Sequence, residues 1–468
     1  PSLQFEVEYL IRASGANSYV HVRIARHAEL KRQTPIKIHK KVDGEWIDCP
    51  LSASDTVALL PQKVVGYTSG DNETLSLPFL HSRSGYAEHV RESALSESAN
   101  DGTIPDTRLM LIDYGTHLEV LVANLLLGTA EQRTALLQDA RLRGLHSFRC
   151  VVQLAHSAVP KAPRLRKSGS ARKGVQLTQE LEAYLDRLRR LATCLQYDEK
   201  SETYTFDFFV NEQTQVGFRF FWESTLDLYS AFHKLAMLND LAIPKATRER
   251  FRRDTQARRF ASRLPEPQDE DKVFRFERVT FINQRNASVV DYVSLSDGEH
   301  QLAQLLGTFC MVSFPDVLFL LDEPESHFNP IWRVKLISRI LDLPTPNGTR
   351  RADSPAAQQD CVLTTHAPFL PSDMRRDKVF IFSKDNETGN VVVRRPDVET
   401  YGTTFDAILE ECFGVRPPIS EEPRKEIEAL MESTDPAMIK AGIDRLGDSV
   451  EKVFLADHLR QISDRERT

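Results

Sequence analysis

Cysteine is scarce and badly spaced for any shared job. Six residues, Cys49, Cys150, Cys194, Cys310, Cys361 and Cys412, stand among 468 without a CxxC or CxxH pair. That argues against a zinc ribbon and against a disulfide framework, and leaves reduced packing residues. Long apolar runs are missing as well. No stretch approaches the roughly eighteen uncharged apolar residues of a membrane span, and the N-terminus has neither a basic leader nor a small-residue cleavage site. Neither spanning nor secretion is indicated, and a cytoplasmic location is expected. Nor does one sign of charge dominate: a net charge of -7 gives no global nucleic-acid signature, because nonspecific phosphate binding needs a basic total or a concentrated basic face. Only local patches could carry that role.

What is present is length and apolar material, 468 residues with 41% hydrophobic, enough for two or three compact regions with a core in each. The runs from Leu3 to about Arg12, Tyr19 to Arg26 and Ile36 to Trp46 alternate with period two and read as an antiparallel meander. Lys63 to Tyr67 is an apolar strand that ends in Thr68-Ser69-Gly70-Asp71-Asn72. Such residues close a turn, or let backbone amides face a ligand. Residues 81 to 107 are polar and Ser- and Arg-rich and read as a loop, and a helical pattern starts at Leu118.

Between about 130 and 265 the texture turns helical, with Leu181, Leu185, Leu188, Leu191 and Leu195 on one side of a helix. An aromatic hairpin is expected within it, Tyr204 to Val210 against Val216 to Trp222. Two basic stretches flank this region. One runs from Lys161 to Lys173; the other holds Arg248, Arg250, Arg252, Arg253, Arg258, Arg259 and Arg263. They are solvated linkers and helix faces, or a nucleic-acid contact surface. From Lys272 strands and helices alternate, as a parallel or mixed sheet covered by helices requires, so the fold class is α/β. The tail from about Phe405 is helical.

Three segments carry chemistry. Leu318-Phe319-Leu320-Leu321-Asp322-Glu323-Pro324 is an apolar run suited to a strand buried on both faces, and it ends in two adjacent carboxylates. Ligands sit at the carboxyl ends of strands in open α/β sheets, where an Asp can hold Mg²⁺ and the next residue can deprotonate a water beside a γ-phosphate. Asn329-Pro330 behind it reads as a helix cap and first turn. Upstream, Ser294-Leu295-Ser296-Asp297-Gly298-Glu299 opens a helix with a capping box between Ser296 and Glu299. Its exposed amides also suit phosphate, and Gly298 leaves room for an anion. Downstream, Val362-Leu363-Thr364-Thr365-His366 sets a histidine at a strand end, a structural residue or a hydrogen-bond donor to a γ-phosphate.

Together these residues resemble the ABC ATPase superfamily, in the branch of SMC- and RecF-like proteins and defence-associated ATPases: signature loop, Walker B strand and switch histidine occur in that order, with 27 residues from Leu295 to Asp322. The resemblance implies an ATPase head with a mixed sheet, an antiparallel β-subdomain and a helical insertion. It divides the chain into an N-terminal ATPase lobe (1–127), the insertion (128–265), a C-terminal ATPase lobe (266–404) and a helical tail (405–468). It implies ATP and Mg²⁺ as ligands, Asp322 on the metal, Glu323 as catalytic base and His366 as switch histidine. Ser296, Gly298, Glu299 and Asn329 would contact nucleotide, Ser296 and Gly298 across a homodimer.

Two departures are minor: Asp297 stands where many transporters have glycine, and Asn329 stands for the D-loop aspartate. The larger one is that no GxxxxGK[ST] occurs; Gly169-Ser170-Ala171-Arg172-Lys173-Gly174 follows no strand and lacks the required ending. Since the chain opens on Pro1 inside an apparent strand, the phosphate loop is expected upstream of it. Gln62 and Asn72 are the candidates for a Q-loop residue. Val64 to Glu73, Asp322-Glu323-Pro324-Glu325 and Thr364 to Pro368 resemble the ATPases of bacterial antiphage systems of Septu and retron-associated type, which implies a sensor or regulator of a separate HNH-type nuclease. The alternatives are a DNA-binding repair ATPase and a scaffold that only binds nucleotide.

Overall fold

The computed structural model describes residues 4–12, 18–26, 36–70, 73–95, 104, 107–113, 115–155, 174–256, 267–346, 348–351 and 354–465. It divides into two compact units, Pro1–Thr365 and His366–Thr468.

The first unit opens with the expected meander. Strands β1 (Phe5–Ile11), β2 (Val20–Arg26), β3 (Lys37–Val42) and β4 (Glu45–Cys49) form an antiparallel sheet in sequential order. The third run divides in two because Asp43 and Gly44 both take positive φ, 49° and 91°, the backbone a two-residue hairpin turn needs. Ile11, Val22, Ile38, Cys49 and Leu59 make its core. A single helical turn, α1 (Ser54–Val57), leads to β5 (Lys63–Thr68).

Residues 81–95 correct the first part of the loop expected over 81–107: they belong to helix α2 (Glu73–Leu95), and residues 96–103 and 105–106 lie outside the described residues. The serines, arginines and glutamates of α2 hide a stripe of Phe79, Tyr86, Ala87, Val90 and Ala94, all buried at helical spacing. Phe79 lies so close to β5 that a Cβ on Gly66 would fall 2.7 Å from its ring, which is why glycine stands in the middle of that strand. Next come β6 (Leu109–Ile112), α3 (His117–Leu127) and α4 (Ala130–Leu137).

The stretch expected to be a helical insertion is mixed. Beside α5 (Gln179–Leu191), α6 (Glu212–Phe221), α7 (Thr225–Met237) and α8 (Lys245–Gln256) it holds β7 (Leu142–Gln153), β8 (Cys194–Asp198) and β9 (Thr203–Phe209). These join β10 (Phe274–Asn283) and β11 (Val289–Asp291) in one antiparallel sheet, ordered β11-β10-β7-β9-β8. The expected aromatic hairpin is half right. β9 is a strand, but Val216 to Trp222 is not its partner: Asn211 accepts the Thr214 amide at 2.9 Å and starts α6, whose Phe218 and Trp222 bury one turn apart. The partners of β9 are β7 on one side and β8, which takes in Leu195, on the other.

Helix α9 (Asp297–Met311), β12 (Val317–Asp322), α10 (Pro330–Asp342) and β13 (Gln359–Thr364) complete the unit. A separate four-stranded sheet, all parallel, runs β13-β12-β5-β6. Helix α3 packs against both α7 and α9, and Asn124 on α3 donates to the Gly307 carbonyl on α9 at 3.0 Å. The alternation read from Lys272 onward thus serves two sheets, β10 and β11 in one and β12 and β13 in the other.

The second unit holds the short α11 (Phe369–Ser372), a hairpin of β14 (Ile381–Lys384) and β15 (Val391–Arg394), and helices α12 (Phe405–Phe413), α13 (Glu421–Glu432), α14 (Pro436–Arg445) and α15 (Val450–Arg465). Ile427, Leu430 and Leu455 form the core of its helical end. No helix among the described residues of either unit is long and apolar enough to cross a membrane.

Candidate functional site

Because β5, β12 and β13 are parallel and in register, with Asp322 opposite both Thr68 and Thr364, their carboxyl ends meet along one edge. The acidic pair therefore stands at a junction of three strands, not at an isolated strand end. Thr364 donates its hydroxyl to Asp322 Oδ1 at 2.7 Å, which orients the carboxylate. At Glu323 the backbone turns into the left-handed region, φ 44°, costly for a residue with a Cβ. Its amide then points back at β13, toward the Thr364 carbonyl at 3.2 Å and hydroxyl oxygen at 3.3 Å. Both carboxylates are half-buried.

The loop behind them is stapled. Arg333 on α10 donates to the carbonyls of Phe328 at 2.8 Å and Ser326 at 2.9 Å. Asn329 caps α10 by accepting the Trp332 amide at 3.0 Å, as its position before Pro330 predicts. Glu325 is 2% exposed; one oxygen accepts from the Thr365 hydroxyl, and burial pushes its pKa up.

The start of α9 meets the same loop. A Cβ on Gly298 would lie 2.7 Å from the His327 carbonyl and 3.3 Å from the Trp332 ring. Glycine here permits a close approach within the chain itself, a reason the sequence reading did not foresee. Ser296 and Glu299 make the expected capping box: the serine amide and hydroxyl both donate to Glu299 Oε2 at 2.8 Å, and the Glu299 amide donates back at 3.4 Å. The Glu299 carboxylate thus serves the cap, while Ser296 stands exposed at the helix N-terminus.

Ser69, in the turn after β5, ties these parts together, its hydroxyl 2.8 Å from that of Ser326 and its carbonyl accepting from Gln301 on α9 at 3.2 Å. The turn holding Ser69 is visible in the sequence, but nothing there gives Ser69, Gln301 or Ser326 a role at the site; they lack charge, and only the register of the parallel strands brings them together. Of the two Q-loop candidates, Gln62 precedes β5 and its amide bonds Asp316, at the amino end of the sheet and away from the acids. Asn72 lies outside the described residues. His366 follows Thr365 directly and opens the second unit.

Among the described residues no three His, Cys, Asp or Glu side chains converge as a metal cage. An oriented Asp322 still suits Mg²⁺, which takes one or two carboxylates and fills its remaining positions with water and phosphate oxygens. The basic stretches fare unequally. Residues 161–173 and 257–263 lie outside the described residues. On α8, Arg248 is buried and paired with Glu88 at 2.9 Å, so it braces α2 and is not a surface contact; Arg250 and Arg253 are exposed.

No curated protein matches the chain. Residues 189–373 match the family model described as "AAA domain, putative AbiEii toxin, Type IV TA system". The matched stretch holds the α9 turn, the β12 acids and β13, and it supports an ATPase of the AAA/ABC type in this part of the chain.

Proposed function

We propose that the chain binds and hydrolyses ATP at the β12 tip and uses the cycle to regulate a separate effector nuclease in antiphage defence. The observation that carries the catalytic part is the pair Asp322 and Glu323, one oriented by Thr364 and the other projected by a left-handed turn at the carboxyl edge of a parallel sheet. Glu323 takes the proton of the attacking water as its oxygen bonds to the γ-phosphorus and the bond to the ADP oxygen breaks. Asp322 is the residue to hold Mg²⁺, which when bound neutralises charge on the phosphate oxygens. The exposed Ser296 and the amides of the α9 N-terminus suit a phosphate presented by a second copy, which makes the working unit a two-fold dimer. His366 is assigned to sensing the γ-phosphate. The 468 residues contain no GxxxxGK[ST], so the proposal requires a phosphate loop besides them.

The test compares full-length protein with its Glu323→Gln variant in Mg²⁺·ATP binding, phosphate release and dimer formation. ATP should bind, the dimer should persist, and turnover should fall at least 100-fold; normal turnover in the variant overturns the reading. Co-purification of a nuclease tests the regulatory part. A second reading, a DNA-binding repair ATPase, draws on the exposed Arg250 and Arg253 of α8. It predicts steep salt dependence of duplex binding, lost when Arg250, Arg252 and Arg253 are neutralised.

A further inference from the structure

A carboxyl group is a poor choice for a buried position in a tight loop, since an apolar side chain would fill the space without the desolvation cost and an amide would pay less of it. Glu325 occupies such a position, two residues beyond Glu323 and 2% exposed. Its carbonyl accepts the Phe328 amide at 2.9 Å, which accounts for the turn but not for the acid. The side chain reaches the Thr365 hydroxyl on the far side of the strand boundary, while its second oxygen is buried with no hydrogen-bond partner. Arg333 is the cation that acts on it, and the same guanidinium holds the carbonyls of Ser326 and Phe328.

Two consecutive threonines at the end of β13 are therefore each held by an acid of the β12 tip, Thr364 by Asp322 and Thr365 by Glu325. One threonine would fix a point; two neighbours on opposite sides of the chain fix its direction as it leaves the sheet.

We propose that Glu325 is a positioning residue, which locks the end of β13 to the loop after β12 through Thr365 and so sets the orientation of the Glu323 backbone. This rests on the ATPase reading above. Glu325 touches no substrate in this scheme. It acts through Thr365 and through the Glu323 amide, whose acceptors belong to β13. The lock requires an acceptor of glutamate length facing a hydroxyl, so an amide of the same shape can replace the acid, whereas truncation of either partner breaks it.

The experiment uses full-length protein and five variants: Glu325→Ala, Glu325→Gln, Thr365→Val, Thr365→Ser and the Glu325→Ala/Thr365→Val pair. Amide hydrogen exchange without nucleotide reads the lock directly. In Glu325→Ala and in Thr365→Val the amides of residues 323, 325, 326 and 363–365 should exchange at least fivefold faster, with Glu325→Gln and Thr365→Ser near the wild-type rate. In steady-state ATPase assays each truncation should lower kcat at least tenfold while KM stays within twofold, and the pair should be no worse than either single change. Unchanged exchange in both truncations overturns the proposal whatever the kinetics. Faster exchange with unchanged kcat, or effects that multiply in the pair, overturns the positioning role. A wild type that neither binds nor hydrolyses ATP overturns the ATPase reading, and the exchange data alone then judge the lock.

Discussion

The hydroxyl of Thr364 donates to Oδ1 of Asp322 across 2.7 Å, from the last residue of one parallel strand to the last residue of its neighbour. Removing it leaves Asp322 a rotamer freedom that the proposed metal role cannot use. In Thr364→Val the Mg²⁺ concentration needed for half-maximal ATP hydrolysis should rise roughly tenfold, equivalent to one hydrogen bond to a charged group. Thr364→Ser should stay near wild type. A magnesium titration of phosphate release checks both.

Gly298→Ala puts a methyl group 2.7 Å from a backbone carbonyl that cannot rotate away. Either α9 or the loop at His327 must shift, at an overpacking cost of about 1–3 kcal/mol. Chemical denaturation should register that loss, and ATP-dependent dimerisation should weaken with it. Normal stability would mean that the approach at Gly298 is looser than described.

Glu119 is 5% exposed in the first turn of α3, and burial pushes its pKa up to about 8. Below its unfolded value near 4.5 both states are protonated and the group contributes nothing. Between there and about 8 the unfolded chain ionises while the native one stays neutral, so stability falls as pH rises through that window. Across it the fall is a few kcal/mol, on the order of 1.4 kcal/mol per pH unit at most. Glu119→Gln should flatten the slope, and urea melts at pH 5, 6, 7 and 8 would read the difference.

Arg248 and Arg250 sit two residues apart on α8 and should answer differently to alanine. Arg248 is buried against Glu88, and its loss removes one of the two guanidiniums on that carboxylate while Arg91 stays, at about 1.5–3 kcal/mol for the charged hydrogen bond. Arg250 has a largely exposed side chain, with a 3.7 Å contact to Asp254; removing it should cost less than ~1 kcal/mol. Thermal melts of the two variants decide.

Where one residue type does one job at fixed spacing, the sequence was readable. The alternation of the meander, the apolar run into Asp322 and the Ser296–Glu299 capping box depend on neighbours within four residues, and all three elements appear, although β12 is buried on one face and only half-buried on the other. Features set by distant partners were not legible. Helix α2 reads as a loop because its buried stripe is narrow and its other faces are serine, arginine and glutamate. Strand β7 has the alternation of Phe148, Cys150 and Val152, yet it lies between helical segments and pairs with a strand more than a hundred residues on. Val216 to Trp222 has the aromatic composition of a strand, and the Asn211 cap overrides it. At the candidate site the acids announce themselves, while the Ser69–Ser326 contact and the Glu325–Thr365 contact join residues with no local pattern.

The left-handed turn at Glu323 has an evolutionary corollary. A side chain held at φ 44° costs of order 1 kcal/mol or more, and glycine would occupy the same backbone at ease. A screen that selects this chain for thermal robustness alone should therefore drift toward Glu323→Gly, yielding proteins that melt later and no longer turn over. The tolerance of that position under selection would separate what the scaffold prefers from what its chemistry demands.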